Sequence, residues 1–229
     1  MSWESTVPYY ATVNRTVAAR LGGLHSAKLL LSSLDFHELE ALQREDRWEE
    51  AGELLVREAR ALERGGADFL VICSNTMHRC LAAVESAVAI PVLHIADATA
   101  RAIRAAGLTR VGLLGTRFTM EGEFYRARLE DRGIEVLTPP EDERALVHRV
   151  IYDELCLGRF LPASRGRYLA VMRSLVERGA GGIVLGCTEI GLLVGGQPFD
   201  VPLFDTAELH ARAAAELAME GTADGCGLF

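Results

Sequence analysis

Two short stretches hold the side chains best suited to proton chemistry. ICSNTMH, residues 72–78, sets Cys73, Ser74, Asn75 and Thr76 in a row behind the apolar run FLVI. GCTEIG, residues 186–191, sets Cys187, Thr188 and Glu189 in a row behind GGIVL. A thiol titrates close enough to neutrality, at about 8.5, to act as either acid or base. A hydroxyl is a poor base without an activating partner. The first stretch alone therefore leaves two candidates open, Cys73 and Ser74.

The elements that carry these stretches read as alternating strands and helices. DFLVICS, IPVLHI, RVGLLGT, GIEVLTPP, GGIVLGC and VPLFD are short apolar runs bounded by turn signals. Between them, apolar residues recur at helical spacing over 49–64, 75–88, 97–106, 120–131 and 141–178, with a break near Leu161-Pro162. A last helix runs to about Glu220. SAKLLLSSLDF reads as one more strand, with Lys28 at its edge. Continuous apolar strands alternating with helices predict an α/β fold with mostly parallel sheets covered on both faces.

The chain also repeats itself. GADFLVICSNT (66–76) aligns with GAGGIVLGCTE (179–189), and IPVLHIADATARA (90–102) with VPLFDTAELHARA (201–213). The offsets are 113 and 111 residues (179 − 66 and 201 − 90). Two blocks at nearly one offset imply two pseudo-symmetric Rossmann-like lobes, the first from 1–95 plus 200–229 and the second from 96–199. The alignment lays Ser74 over Cys187 and Cys73 over Gly186. Ligands of parallel sheets collect at the carboxyl ends of strands, where both Ser74 and Cys187 fall. Backbone N–H groups of Asn75, Thr76, Thr188 and Glu189 would sit at helix starts, suited to a carboxylate. A small acidic substrate held between the two lobes is the expectation. RVGLLGT opens the second lobe, but its counterpart would fall at or before Met1, so the first lobe is expected to lack its opening strand, as in a truncated or mis-started chain.

Composition narrows the partners. Of the 229 residues, 49% are apolar and 24% charged, enough for a sizeable core. The net charge of −8, without a basic cluster, argues against nucleic acid. No apolar run is long enough to span a bilayer and no secretion signal opens the chain, so the cytoplasm is the expected compartment. Five cysteines, at 73, 80, 156, 187 and 226, include no C-x-x-C pair and read as reduced thiols. The histidines show no metal-ligand spacing. Lys28 is the single lysine and has no glycine-rich phosphate loop, which argues against pyridoxal phosphate.

MSWESTVPYY, NTMH, LHIADAT, GLLGTRFTM, DELCLG, GCTEIGLL and FDTAELHA together resemble the aspartate/glutamate racemase family over nearly the whole chain. That resemblance implies two Rossmann-like lobes, an active site at the lobe interface, no cofactor and a homodimer; the histidine and cysteine spacing gives no metal. It also implies that the substrate Cα lies between Ser74 and Cys187, the catalytic pair, with Cys73 left as a buried strand residue. The position of Ser74 is usually cysteine in the family, although a subgroup carries a hydroxyl. By the same resemblance Gln43, in the ALQRED loop, and Arg159 lie near the substrate. Arg44, Arg47, Arg117 and Arg165 are alternatives; Asn14, His78 and His210 are further pocket candidates. Family members usually carry a strand ending in two glycines before MSWES, and Met1 then lines the pocket. The expected activity is cofactor-independent racemisation of aspartate, glutamate or a similar small amino acid. Rival readings are a decarboxylase or cis–trans isomerase acting through Cys187 on a small dicarboxylate, and a non-catalytic amino-acid-binding protein.

Overall fold

The computed structural model describes residues 1–196 and 198–220; Cys226 lies outside them. The chain forms two compact units. Among the described residues, unit 1 comprises Met1–Cys73, Met77–His94 and 210–220, and unit 2 comprises Ser74–Thr76 and Ile95–Leu209. Residues 200–209 therefore stay with unit 2, past the crossover expected at residue 200.

Unit 1 opens with α1 (Trp3–Leu21), a helix that the sequence reading did not assign and that carries Pro8 within it. Next comes α2 (Phe36–Arg44), capped where the Asp35 carboxylate accepts from the His37 N–H at 3.0 Å. In α3 (Trp48–Arg64), Ala51, Leu54, Leu55 and Ala59 repeat at helical spacing and are buried. Glu49 and Glu50 in its first turn and Arg64 in its last complement the helix dipole. β1 (Leu70–Val71) pairs in parallel with β2 (Val92–Leu93), joined through α4 (Leu81–Glu85). DFLVICS thus yields only two strand residues, and Cys73 lies just past them, half-buried. The helix expected over 75–88 is a 3-10 turn at Thr76–Cys80 followed by α4.

The expected strand around Lys28 does not form. Residues 24–35 are neither helix nor strand, and Leu29, Leu30 and Leu31 are 41%, 51% and 57% exposed. An apolar sequence becomes a strand only when a neighbouring strand takes its backbone groups.

Unit 2 starts at α5 (Ile95–Ala105) and continues through β3 (Arg110–Gly115), α6 (Arg117–Glu121), α7 (Glu123–Glu130) and β4 (Glu135–Leu137). It continues with α8 (Glu141–Asp153), α9 (Pro162–Glu177), β5 (Ile183–Gly186), α10 (Ile190–Val194), β6 (Leu203–Asp205) and the start of α11 (Thr206–Glu220). The helix expected over 120–131 breaks at Gly122, whose backbone is extended. The four strands pair in parallel in the order β4-β3-β5-β6. Pairing of β6 with β5 is what keeps residues 200–209 in unit 2.

From Val111 to Gly115 every residue of β3 is buried, as a strand covered on both faces requires. Its side chains join Tyr125, Leu129, Tyr168, Met172, Leu175 and Ile183 in a single core. Each buried leucine or isoleucine there stabilises the fold by roughly 1.5–3 kcal/mol relative to exposure. Among the described residues, no helix is long and apolar enough to cross a membrane.

Candidate functional site

The carboxyl ends of β3, β5 and β6 set the site. Gly115 and Gly186 are paired in register at the last rung of β3 and β5. A Cβ on Gly115 would lie 2.8 Å from the Gly186 carbonyl oxygen, so the two backbones close up only because both residues are glycine. The residue that follows each is then functional in type, Thr116 after β3 and Cys187 after β5.

Residues 74–76 are fastened to these strand ends within unit 2. Thr76 Oγ1 lies 2.8 Å from Thr116 Oγ1 and 3.2 Å from Thr119 Oγ1, a buried cluster of three hydroxyls. Thr116 also caps α6 by accepting from the Thr119 N–H at 3.3 Å. Asn75 Nδ2 donates to Thr206 Oγ1 at 2.9 Å, and Thr206 Oγ1 donates to the Leu185 carbonyl at 2.8 Å. A two-bond relay thus runs from the neighbour of Ser74 to a backbone group two residues before Cys187. Asn75 is 3% exposed, and its Oδ1 is a buried acceptor with no protein partner. Such an orphan is expected to meet a donor supplied from outside the protein.

Around Cys187 the ordering is electrostatic. Cys187 Sγ donates to Glu189 Oε2 at 3.0 Å, and Thr188 Oγ1 donates to the same oxygen at 2.8 Å. The other oxygen, Oε1, has Cys156 Sγ at 3.9 Å. Burial, then the Glu189 carboxylate, then Cys156, hold the Cys187 thiol well above its ordinary pKa. A helix start ordinarily lowers a thiol pKa, but α10 is only five residues long and begins at Ile190, beyond Cys187. Glu189 precedes it as its cap and turns its carboxylate toward the thiol. Tyr168 feels the same cluster: burial first, then Cys187, Glu154, Cys156 and Glu189 raise its phenol.

Unit 1 holds the remaining candidates. The Met1 amino group donates to the Cys73 carbonyl at 3.1 Å and to Ser5 Oγ at 3.4 Å. Burial pushes the Cys73 thiol up to about 11. Gln43 lies on α2 rather than in a loop; it is buried and donates from Nε2 to Met77 Sδ at 3.0 Å. His210 is buried: Nε2–H donates to the Leu93 carbonyl at 2.9 Å, and Nδ1 lies 2.9 Å from the Tyr9 hydroxyl. His78 and His94 stack beside it, with ring centroids 4.3 Å apart. Asn14 accepts from the Ala27 N–H at 3.0 Å, an architectural tie.

The arginines separate by partner. Arg44 and Arg47 are paired with Glu40, Glu45 and Glu50 on the surface, and Arg165 donates to the Leu193 carbonyl at 2.6 Å. Arg159 and Arg117 are exposed and form no ion pair among the described residues. Arg159 stands three residues beyond Cys156, after a 3-10 turn (Leu155–Leu157) that ends at Gly158 in the left-handed region, φ 69°. Sequence reading gave no role to Cys156, Thr116, Thr119 or Thr206. DELCLG carries the one available signal, a glycine stop directly after a thiol-bearing turn.

The candidate site thus sets a buried thiol against a carboxylate, with hydroxyl and amide side chains at the adjoining strand ends of a parallel sheet. The chain belongs to the Asp/Glu/hydantoin racemase family, whose profile matches residues 1–214. It is thereby placed among racemases, which are isomerases. It is 52% identical to a Yersinia pestis protein of known structure whose assignment as an Asp/Glu racemase is provisional, with a TM-score of 0.87 over 96% of each chain. An aspartate racemase homologue from Pyrococcus horikoshii OT3 shares 33% identity and a TM-score of 0.79 over 94% of each chain. The broad specificity amino-acid racemase RacX of Bacillus subtilis (strain 168) is 24% identical over 168 residues, 72% of this chain and 71% of its own.

Proposed function

We propose that the protein is a cofactor-independent racemase of aspartate, glutamate or a similar small amino acid, working by Cα proton transfer between Cys187 and the side of Ser74. The observation that carries this reading is the Cys187–Glu189 contact at 3.0 Å. A thiol with a raised pKa is protonated at neutral pH and needs an acceptor before it can act as a base. Glu189 Oε2 is in place to take that proton, leaving Cys187 as a thiolate and Glu189 as the neutral acid. The thiolate then removes the Cα proton, the Ser74 hydroxyl gives its proton to the opposite face of the carbanion, and exchange with solvent returns a proton to Ser74 and takes the one held by Glu189. Proton return through Cys187 and Glu189 runs the same steps backward.

The orphan Asn75 Oδ1 suits the substrate ammonium, and Thr76, Thr188 and the guanidinium of Arg159 suit its carboxylates. Ser74 is the weak side, because a hydroxyl neither gives nor takes a proton readily near neutral pH. Exchange of the Cα proton is therefore expected to be fast for one enantiomer and slow for the other. The test is Cα-proton exchange in D₂O, followed by NMR, with both enantiomers of aspartate and of glutamate and no cofactor added. One-sided exchange that Cys187→Ala lowers on the order of 10³-fold supports the reading. Equal exchange from both enantiomers, or exchange that survives Cys187→Ala, overturns it.

The hydroxyl at Ser74 favours one second reading, one-sided protonation of a carbanion left by decarboxylation of a small dicarboxylate. Release of CO₂ from a substituted malonate, without exchange on any amino acid, would select it.

A further inference from the structure

Glu189 must lose the proton that it takes from Cys187, yet it is 2% exposed. Its two carboxylate oxygens have different neighbours. Oε2 accepts from Cys187 Sγ at 3.0 Å and from Thr188 Oγ1 at 2.8 Å, whereas Oε1 faces Cys156 Sγ at 3.9 Å. Cys187 and Thr188 are buried, and Cys156 is half-buried. Of these three neighbours, the Cys156 thiol is the one within reach of water.

The local chain sets this thiol in place. Cys156 is the middle residue of the 3-10 turn Leu155–Leu157, which follows α8 directly and stops at Gly158. Leu155 on the same turn is fully buried in the core of unit 2, which pins the turn. The Glu154 carbonyl closes it, accepting from the Leu157 N–H at 3.0 Å and from the Arg159 N–H at 2.9 Å. The side-chain Oε2 of Glu154 is a buried acceptor with no protein partner among the described residues, suited to a water. Cys187, Glu154, Cys156 and Glu189 all act on the phenol of Tyr168, so the four groups gather around one ring.

We propose that Cys156 is a positioning residue of the reaction, which holds the Oε1 side of Glu189 and passes a proton between that carboxylate and water. This role rests on the racemase reading given above, in which Glu189 takes the Cys187 proton. The terminal torsion of a glutamate is broad and roughly two-fold, so a half-turn exchanges Oε1 and Oε2. The oxygen protonated by Cys187 then faces Cys156. Its O–H gives the proton to the Cys156 sulfur while the Cys156 S–H gives its own proton to water. Net, one proton moves from Glu189 to solvent, the thiol is restored and the carboxylate is ionised again. Contacts that carry proton transfer are often long before substrate binds and tighten in the complex.

The test compares Cys156→Ala with the parent protein, by Cα-proton exchange of both enantiomers of aspartate and glutamate in D₂O at increasing imidazole concentration. A small buffer replaces a missing proton carrier but does not repair packing. The expected result is a kcat for exchange lower by on the order of tenfold at low buffer, an unchanged KM, and recovery as imidazole rises, while the parent rate stays independent of buffer. A rate equal to the parent's, or a loss that imidazole does not restore, overturns the proposal. Cys156→Val, which fills the space without an exchangeable proton, is read in the same way if the alanine variant does not fold. Absence of exchange in the parent protein would instead fail the racemase reading. The Cys156–Glu189 contact is then read directly, from the rate at which iodoacetamide alkylates Cys156 at neutral pH, followed by mass spectrometry. Glu189→Gln removes the negative charge facing the thiol, and alkylation of Cys156 should speed up on the order of threefold. Equal rates in the two proteins overturn the proposal.

Discussion

The two units are built from one repeat, yet they hold their apolar residues differently. Leu113 and Leu114 of β3 are fully buried, between two strands and under helices. Leu29, Leu30 and Leu31 have a comparable composition, lie outside any strand, and are roughly half exposed. Side-chain hydrophobicity does not separate these segments. The presence of a strand neighbour does, because a buried backbone must have its N–H and C=O groups paired. The comparison teaches that a sheet position is a property of the pair, and that the unit with the completed sheet is the one that presents the ordered thiol.

The largest effect that sharpens this contrast is expected from Leu113→Ala. Removing a fully buried side chain from β3 should cost about 3 kcal/mol, read as a lower denaturation midpoint. A loss near zero would mean that unit 2 is no better packed than unit 1. Next is Glu189→Gln, which leaves the fold in place but removes the acceptor for the Cys187 proton. Cα exchange should fall on the order of 10²-fold. Alkylation of Cys187 should instead move to lower pH, because the carboxylate that raises its pKa is gone. A variant that exchanges as fast as the parent would reduce Glu189 to an ordinary cap of α10.

A smaller effect separates the units by pH. Both Cys187 and Cys73 have thiols raised by burial, so the folded state favours their neutral forms. Their contribution is complete below about pH 8.5, the unfolded value, and is lost as the pH rises through the folded values. For Cys73 that value is about 11. Stability measured from pH 8 to 11 should decline, and Cys73→Ser should remove the Cys73 share of the decline while leaving the shares of Cys80 and Cys187, both also raised by burial. A flat profile in the parent protein would break the comparison at this point. The smallest effect is Leu30→Ala, half exposed and outside any strand, which should change stability by less than about 0.5 kcal/mol.

Much of the fold was legible in the sequence where pattern and environment agree. β3, β5, α3 and α5 fall within a few residues of their apolar runs, because continuous burial or a single buried stripe leaves a direct trace. The segment around Lys28 was read as a strand, since its pattern is the same as that of β4 or β6 and nothing local records whether a neighbour exists. α1 left too mixed a pattern to read. At the candidate site, the place of Cys187 directly after β5 was legible from the apolar run and the internal repeat. The sign of its pKa shift was not, because that depends on where Glu189 turns its carboxylate and on how short α10 is. Thr206 was invisible for a similar reason: a threonine at the start of a helix is ordinary, and only its two bonds make it a link.

That link carries a consequence for how the protein is made. Asn75 and Thr206 are 131 positions apart, and the bond between them joins the Ser74 end of the site to the Cys187 end. A ribosome delivers the first of these residues long before the second, at about 5–20 residues per second. Throughout that interval the nascent chain holds both Cys73 and Ser74 without the residue that anchors their neighbour. The site is keyed by a late residue, so a chain halted before Thr206 has its thiols but lacks the link that joins their surroundings.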